Sequence, residues 1–411
     1  MFPDRMESAV VRLATAALSV RPLIDVMPPT VRVAADPLAG ERRTLARLLD
    51  RVMTGVGGPR LRLCPSPDTA DLNMFEQIVS RRLDLAGVQT SVGAVPRHAW
   101  PRLDDLVGGV VRASFDGRMA RARTLSADGA PLNVYTAGRA GTPAVIIASA
   151  CGMPAKLCER WVRALEPDCF VVTWESRSLF GEAPPPGTAW DASAQAADLR
   201  AVLDCAGVSS AHVMGFCGGA VIALLAAAAY PDRVSSVSVW HGDFERGPSC
   251  PKTNHQQNVK ALMDIAGSSP AAAASVRSLL CESTRSAGPG GMLTKIRPEH
   301  AHLVLYPFAT ADLLHRYSQL NGDLMRTDVG TVLADVHQPV LVVTSRTDDT
   351  AHPAGSIDVA RRLPRATLRV EPEGDHLSLF DAAAPLVNLA STFIAAPVTD
   401  GVPAGAWSGM P

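Results

Sequence analysis

A glycine-rich turn between two apolar runs is the feature that most constrains the fold of this chain. The run Ala211–Met214 has the length of a buried strand, Ala220–Tyr230 has the length of a helix, and the turn Gly215–Gly219 (GFCGG) joins them. A side chain at the tip of such a turn needs small residues two positions before and after it, because the strand and helix backbones approach closely. Glycine stands at both positions, so the sequence predicts a sharp turn that presents Cys217 to a cleft.

Short apolar runs alternate with helical stretches on both sides of this turn. Continuous apolar runs are typical of strands buried on both faces of a parallel sheet, and their alternation with helices indicates right-handed βαβ crossovers. An antiparallel hairpin, Arg121–Leu125 with Asn133–Thr136, is predicted before them. The predicted strands of the alternation are Ala144–Ala148, Phe170–Trp174, Ala211–Met214, Val234–Trp240, Pro339–Thr344 and Thr367–Val370. The predicted helices are Pro154–Leu165, Ala192–Ala206, Ala220–Tyr230, Gly355–Leu363 and Ala384–Ile394.

The pattern divides the chain into a sheet-forming body and helical additions. A chain of 411 residues exceeds what one hydrophobic core usually organises, so more than one unit is expected. The predicted parts are an N-terminal helical unit (1–120), a first part of the body (121–243), a helical cap (244–336), a second part of the body (337–396) and a loose tail (397–411). Amphipathic stretches support the N-terminal unit (Glu41–Met53, Asp68–Leu85) and helical stretches support the cap (Gln256–Ile265, Ala271–Leu280, Ala311–Leu320).

Composition narrows the class of partner. The formal net charge is −1 and positive charge is not concentrated in runs, which removes the electrostatic basis for binding nucleic acid or an anionic membrane. The longest apolar run, Ala220–Tyr230, is about half of the roughly 20 residues that a membrane-spanning helix needs. Acidic residues near the N-terminus, with Arg12 and Arg21 in the apolar stretch that follows, argue against a secretory signal. We expect a cytoplasmic enzyme.

The eight cysteines show no Cys-x-x-Cys pair and no zinc-ligand spacing with histidine. We expect most of them to be reduced and buried in structural positions. No metal and no cofactor is expected. Cys217 is the exception among the cysteines because of the turn in which it lies.

A histidine and an acid stand at the positions that a nucleophile at this turn requires. His376 follows the strand Thr367–Val370, and Asp349 follows the strand before it. The order nucleophile, acid, histidine is one of those used by catalytic triads. Two alternatives for the acid stay open, the neighbouring Asp348 and, after an earlier strand, Asp243. His241 also stands at the carboxyl edge of the predicted sheet, without an assigned role.

The position of Cys217 favours a reactive thiol. It lies at the N-terminus of a helix, whose dipole favours a thiolate, and an adjacent histidine strengthens this effect. Acyl transfer also needs N–H donors for the oxyanion, for which we predict the backbone amides of Gly218 and Met153. Cys151, in the same loop as Met153, is expected to pack against the cleft.

With these features in place, residues from about 121 to 396 resemble the α/β-hydrolase superfamily. The turn Gly215–Gly219 looks like the lipase-box variant of polyhydroxyalkanoate synthases and dienelactone hydrolases, both of which have a Cys-His-Asp triad. Cysteine-type thioesterases and acyltransferases of polyketide and peptide assembly lines are further kin. The resemblance implies an α/β-hydrolase fold with a mostly parallel sheet, and a triad of Cys217, His376 and Asp349.

A second, partial likeness lies in the N-terminal unit. The segment Asp71–Arg82 is similar to the region around the phosphopantetheine serine of acyl carrier proteins, but the glycine and aspartate of that pattern are missing. The expected serine position falls on Arg81, with Ser80 one residue before it. The likeness implies a carrier-like fold that has lost its prosthetic group; the alternative is a helical extension that packs on the body or docks a partner.

These features predict an enzyme that forms an acyl-cysteine intermediate. Its substrate is expected to be an acyl thioester on coenzyme A or on an acyl or peptidyl carrier protein, used for acyl transfer or hydrolysis in natural-product biosynthesis. The cap is expected to shape the acyl pocket, with Leu303, Leu305, Tyr306 and Phe308 as candidate lining residues. Two other readings stay open: a cysteine-type ester or lactone hydrolase, and a non-catalytic binding protein of the same fold.

Overall fold

The computed structural model divides the chain into two compact units. It describes residues 2–28, 30–35, 39–65, 72–92, 100–181, 184–286 and 296–396, so the predicted tail 397–411 lies outside the described residues. The larger unit comprises Ala120–Ala273 with Asp312–Pro411, and the smaller unit comprises Met1–Met119 with Ala274–Ala311.

The larger unit is built on an eight-stranded sheet. Its strands are β3 (Ala120–Leu125), β4 (Pro131–Ala137), β5 (Ala144–Ala148), β6 (Phe170–Trp174), β7 (Ala211–Phe216), β8 (Val234–Trp240), β9 (Val340–Ser345) and β10 (Ala366–Glu371). They lie in the order β10-β9-β8-β7-β5-β6-β4-β3. Only the β3–β4 and β4–β6 pairs are antiparallel; the other pairs are parallel. The sheet order confirms the predicted hairpin and the predicted parallel alternation.

Helices connect these strands at the predicted places, with two main differences in their bounds. The helix predicted from Pro154 begins at Glu159, after a 3₁₀ turn (Ala155–Cys158), and the helix predicted to end at Leu320 continues to Arg326. The helices are α7 (Glu159–Leu165), α8 (Ala192–Cys205), α9 (Gly219–Ala229), α10 (Asn254–Ser268), α13 (Ala311–Arg326), α14 (Pro353–Arg362) and α15 (Ala384–Ala395). Helix α9 is almost entirely buried, as its run of alanine, leucine, valine and isoleucine predicts. It follows β7 after a turn of two residues, which fixes the position of Cys217.

An aromatic cluster packs beneath this turn. The ring of Trp161 lies 5.1 Å from that of Trp240 and 5.6 Å from that of Phe216, and Phe216 meets Phe380 edge-on at 6.0 Å. The indole N–H of Trp161 also donates to the carbonyl oxygen of Leu379 at 2.7 Å. Large buried aromatic rings contribute strongly to packing, so the cluster holds the chain on both sides of the turn in place.

The predicted cap 244–336 is not one body, because the structure divides it. Helices α10 and α13 belong mainly to the larger unit, α11 (Pro270–Ser286) runs from the larger into the smaller, and α12 (Pro298–Val304) belongs to the smaller. Within the smaller unit α12 packs against α1 (Phe2–Val26) and α3 (Met74–Leu83), and Ala301 and Leu303 of α12 are buried. The four candidate lining residues of the predicted cap therefore belong to the smaller unit.

The smaller unit is mainly helical but contains a short parallel sheet that the sequence did not predict. Strands β1 (Arg32–Ala35) and β2 (Arg62–Pro65) pair in parallel across helix α2 (Ala39–Gly55). The other helices are α1 (Phe2–Val26), α3 (Met74–Leu83), α4 (Leu85–Val92), α5 (Trp100–Ala113) and α6 (Phe115–Arg118). Strands of four residues give too little periodicity to separate them from loops.

Ser80 has a structural role in this unit. Its hydroxyl is buried and accepts a hydrogen bond from the Ala34 amide of β1 at 3.0 Å. Helix α3, which carries Ser80, begins with a capping box formed by Asn73 and Glu76. A prosthetic group on Ser80 would have to displace the residues that bury this hydroxyl.

Among the described residues, no helix combines the length and the apolar character that would be needed to span a bilayer.

Candidate active site

Cys217 lies at the tip of a strained turn between β7 and α9. Its φ of 53° is in the left-handed region, which costs a non-glycine residue energy and is often found at functional positions. The Cys217 amide donates to the carbonyl oxygen of Trp240 at 3.1 Å, and its own carbonyl oxygen accepts from the Ala220 amide at 3.1 Å. These two bonds hold the side chain at the carboxyl edge of the sheet.

The glycines on either side make this turn possible. A Cβ atom on Gly215 would lie 2.6 Å from the Cα of Ala220, and one on Gly219 would lie 2.1 Å from the carbonyl oxygen of Ala148. Both contacts are with backbone atoms, which cannot move aside. The sharp turn predicted from the sequence is therefore present, for the steric reason given for it.

His376 reaches Cys217 from the loop after β10. It is buried and begins a 3₁₀ turn (His376–Asp381). Burial alone would lower the pKa of His376, but the charge of the nearby Cys217 side chain and the hydrogen bond to Asp348 raise it well above its usual value. The raised pKa favours the protonated form of His376. A positive charge beside a cysteine is the arrangement in which cysteines react as one half of a thiolate–imidazolium pair.

The acid that orients His376 is Asp348, which corrects the expectation of Asp349. The Nδ1–H of His376 donates to Oδ2 of Asp348 at 2.9 Å, and Asp348 is buried whereas Asp349 is exposed. The other oxygen of Asp348 accepts the amides of Thr350 and Ala351, each at 2.9 Å. These bonds turn the loop so that the first of the two aspartates faces inward.

Asp243, the third candidate acid, lies elsewhere. One of its oxygens accepts a hydrogen bond from the side-chain amide of Gln256 on α10. Asp243 is only partly buried and lines a cavity of about 560 Å³ beside the loop after β8. It is therefore a wall residue of that cavity and does not orient His376.

A second histidine binds the same carboxylate. The Nδ1–H of His241, one residue beyond β8, donates to Oδ2 of Asp348 at 2.8 Å. Burial would raise the pKa of Asp348, but the hydrogen bonds from His241 and His376 hold it well below its usual value, so the carboxylate stays ionised. The sequence placed His241 at this edge of the sheet but gave no signal that it would share the acid.

His241, Asp348 and His376 are also the group that could bind a metal among the residues that the structure describes. Their ligand atoms lie within 4.8 Å of one another. Both Nδ1 atoms, however, already donate hydrogen bonds to one carboxylate oxygen. A metal ion would replace both bonds, and the arrangement fits a catalytic hydrogen-bond network better.

The two predicted oxyanion donors differ in their surroundings. The Gly218 amide is in the first turn of α9, where helical N–H groups have no intrahelical partner. The Met153 amide instead donates to the carbonyl oxygen of Ala150 at 3.2 Å, and the preceding Gly152 amide donates to Ser176 Oγ at 2.9 Å. Gly218 thus fits the role directly, whereas Met153 must leave its turn bond to take part.

Two further side chains lie close to the nucleophile. Burial raises the pKa of Cys151 to about 12, so its thiol stays neutral near pH 7 and is a poor nucleophile. The ring of Tyr317 packs so closely on Gly152 that a Cβ there would lie 2.5 Å from it. Burial, followed by the charges of Cys151 and Cys217, raises the pKa of Tyr317 well above its usual value, so it remains a hydrogen-bond donor. The sequence predicted its helix but could not place its ring.

The thiolate–imidazolium pair leads to a prediction about alkylation. We expect His376→Ala to lower the rate of Cys217 alkylation by iodoacetamide at pH 7 by about tenfold or more, because the positive charge that stabilises the thiolate is lost. In the wild type the imidazolium is present below the raised pKa of His376 and is lost as the pH rises through it. Mass mapping of the alkylated cysteine, with Cys217→Ala as the control, measures this rate. Equal rates in wild type and His376→Ala would contradict the pair.

Comparison with known proteins agrees with the fold of the larger unit. Residues 143–240 match the family model described as the alpha/beta hydrolase fold. The chain is similar to an esterase from Rhodococcus sp. (18% identity, 67% of this chain and 98% of that one, TM-score 0.52). It is also similar to an esterase from Exiguobacterium antarcticum (16%, 67% and 100%, TM-score 0.54) and to an enol-lactonase from Burkholderia xenovorans (16%, 66% and 99%, TM-score 0.53).

These likenesses concern the fold. The identities are too low to carry a substrate or a nucleophile from those proteins to this chain. The larger unit has the α/β-hydrolase fold, with a mostly parallel sheet and helices around it.

Proposed function

We propose that this α/β-hydrolase-fold enzyme transfers or hydrolyses acyl groups through an acyl-Cys217 intermediate. The observation that carries the proposal is the arrangement at the carboxyl edge of the sheet in which the Cys217 side chain acts on the pKa of His376, and His376 is hydrogen-bonded to Asp348. A nucleophile, a base within hydrogen-bond reach and an acid that orients the base are the three parts that nucleophilic catalysis needs.

The first half-reaction loads the cysteine. The thiolate of Cys217 attacks the acyl carbon of a thioester, and the Gly218 amide stabilises the oxyanion. The carbon–sulfur bond of the substrate breaks, and the leaving thiolate takes the proton of His376. The acyl group is then bound to Cys217 and His376 is neutral.

The second half-reaction discharges the enzyme. An acceptor hydroxyl, amine or water attacks the acyl carbon after a base takes its proton, and Cys217 leaves as a thiolate. The proton taken from the acceptor ends on His376, because the charge of Asp348 favours its protonated form, and His376 again pairs with that thiolate. The cycle returns to its starting state.

The sulfur nucleophile favours thioesters as substrates. Exchange of one thioester for another changes the bond energy little, so a cysteine can take an acyl group from a thioester near equilibrium and keeps it activated. We therefore propose an acyl thioester of coenzyme A or of an acyl or peptidyl carrier protein, in natural-product biosynthesis, as the donor.

Hydrolysis of an ester or lactone is the second candidate function. It uses the same intermediate, with water as the acceptor. The esterases and the enol-lactonase of similar fold favour this alternative.

Intact mass spectrometry of the purified protein with acetyl-pantetheine tests the proposal. We expect a mass increase of one acetyl group on Cys217 in the wild type and none there in Cys217→Ala, because the variant has no nucleophile. Analysis of the released product with and without an added amine or alcohol then separates transfer from hydrolysis.

The adduct must depend on Cys217. A wild type that never acquires a labelled Cys217 from thioesters or activated esters, or equal labelling of Cys217→Ala, would contradict the proposal. That result would favour the non-catalytic binding protein.

A further inference from the structure

Two histidines share one carboxylate oxygen in this site, although the attack by Cys217 needs only one. We propose that His241 is a second base, which takes the proton of a hydroxyl acceptor while His376 serves Cys217. This inference rests on the proposed acyl-cysteine function and names the class of acceptor. The product would be an ester or lactone, or an acid where the hydroxyl is water.

The two histidines are bound to Asp348 in the same way. His241 donates from Nδ1 at 2.8 Å and His376 donates from Nδ1 at 2.9 Å, both to Oδ2. Their rings are buried, perpendicular at 85° and 5.8 Å apart between centroids. Because an ionised carboxylate only accepts, each Nδ1 carries a proton and each neutral ring has its lone pair on Nε2. His241 is thus oriented as a base in the way that His376 is.

The Nε2 atom of His241 is available for a reaction. In the part of the chain that the structure describes, it has no hydrogen-bond partner, and it is absent from the polar atoms that are sealed from solvent without one. His212, on the neighbouring strand β7, shows the contrast. Both of its ring nitrogens are bound, to Ser236 at 2.7 Å and Ser238 at 2.9 Å, and burial lowers its pKa to about 3. Both ring nitrogens of His212 are thus hydrogen-bonded, as suits a structural role, whereas only Nδ1 of His241 is.

The backbone at His241 supports a functional role. Its φ of 49° is in the left-handed region, as is that of Cys217, and strained backbone of this kind often marks functional sites. The two residues lie at adjacent strand ends, because the Cys217 amide bonds to Trp240, the residue before His241.

A polar cavity begins two residues after His241 in the chain. Asp243, two residues after His241, lines the cavity of about 560 Å³ together with Gln256, Gln257, Lys260 and Met325. Amide and charged side chains in this lining suit a polar acceptor.

The proposed step is balanced. The hydroxyl oxygen forms a bond to the acyl carbon and its proton passes to Nε2 of His241. The bond between the acyl carbon and the sulfur of Cys217 breaks, and the sulfur leaves as a thiolate. The proton on Nε2 of His241 then moves through solvent to His376, which returns both histidines to their starting states.

A hydroxyl is the acceptor that most needs this base. A neutral amine attacks a thioester with its lone pair and can lose its proton afterwards, whereas an alcohol is a weak nucleophile until a base removes its proton. A base reserved for the second half-reaction therefore suits oxygen acceptors.

The experiment compares acceptors on one preformed acyl-enzyme. Wild type, His241→Asn and His241→Phe are first acetylated with acetyl-pantetheine, freed of excess reagent, and discharged with water, ethanol or hydroxylamine, each followed by intact mass. Asparagine keeps an N–H donor for Asp348 but has no base, and phenylalanine has neither. We expect discharge by water and ethanol to slow about 100-fold in both variants. Discharge by hydroxylamine, which attacks without prior deprotonation, should slow far less.

The ratio of oxygen-acceptor to hydroxylamine rates is measured within each variant, so partial misfolding does not mimic the effect. A ratio unchanged from wild type in both variants would overturn the inference. Recovery of the wild-type ratio in His241→Asn alone would also overturn it, because His241 would then only position Asp348. A wild type that forms no acyl-Cys217 overturns the proposed function and the inference with it, and is thereby distinguished from a failure of His241 alone.

Discussion

Asp348→Asn is expected to lower kcat for thioester turnover by about 10²–10⁴-fold, whereas Asp349→Asn should stay close to wild type. The first change removes the charge that orients His376 and leaves two histidine N–H donors facing a neutral amide. The second makes the same chemical change one residue later, on an exposed side chain. Steady-state kinetics with the thioester that labels Cys217 measures both variants.

The neighbouring pair makes this a controlled comparison. Melting temperatures of both variants show whether a loss of activity follows from a loss of fold. Full activity in Asp348→Asn, or a larger loss in Asp349→Asn than in Asp348→Asn, would show that the loop presents the other carboxylate.

Gly219→Ala is expected to destabilise the larger unit by about 3 kcal/mol and to abolish acylation of Cys217. The added Cβ would lie 2.1 Å from the carbonyl oxygen of Ala148 and 2.6 Å from that of Ser149, so β5 and the start of α9 would have to separate. Overpacking of this kind typically costs about 1–3 kcal/mol. Thermal unfolding and the acetyl-pantetheine mass assay measure the two effects.

Gly218→Ala is the matched control for this prediction. A Cβ at position 218 would meet Asn321, Leu324 and Cys151 at 3.6–3.7 Å, which is ordinary contact, and its backbone is helical with φ of −60°. The alanine also keeps the amide proposed for the oxyanion. Equal destabilisation by the two substitutions would show that the close approach at Gly219 is not what holds the turn.

The sheet and the nucleophile were predictable from the sequence because both depend on local patterns. Runs of valine, isoleucine and alanine identify buried parallel strands, and two glycines around Cys217 identify the turn. Strand β7 extends two residues beyond its predicted end, to Phe216, which is buried and pairs with Trp240. Gly215 interrupts the strand pattern there although the pairing continues.

The sequence could not show which of two adjacent aspartates orients His376. Asp348 and Asp349 are chemically identical and differ only in the direction in which their side chains point. The loop after β9 turns by hydrogen bonds from the Thr350 and Ala351 amides to Asp348, and these depend on the three-dimensional path of the loop. The role of His241 is equally non-local, since 107 residues separate it from Asp348.

The division of the chain into units was the least predictable part. Helices of the segment 244–336 have similar composition, yet α12 packs against α1 and α3 while α13 joins the sheet unit. An amphipathic helix shows that it has a buried face but not which surface covers that face.

Catalysis depends on Trp161, a buried residue that does not contact the substrate. Through its bond to Leu379 it supports the turn that begins at His376, and through its ring it supports Phe216, the neighbour of Cys217. Trp161 thus supports the positions of both the nucleophile and the base. A substitution of Trp161 would disturb both catalytic groups. We therefore expect a tryptophan at this buried position to persist in descendants of this enzyme whose substrates have diverged.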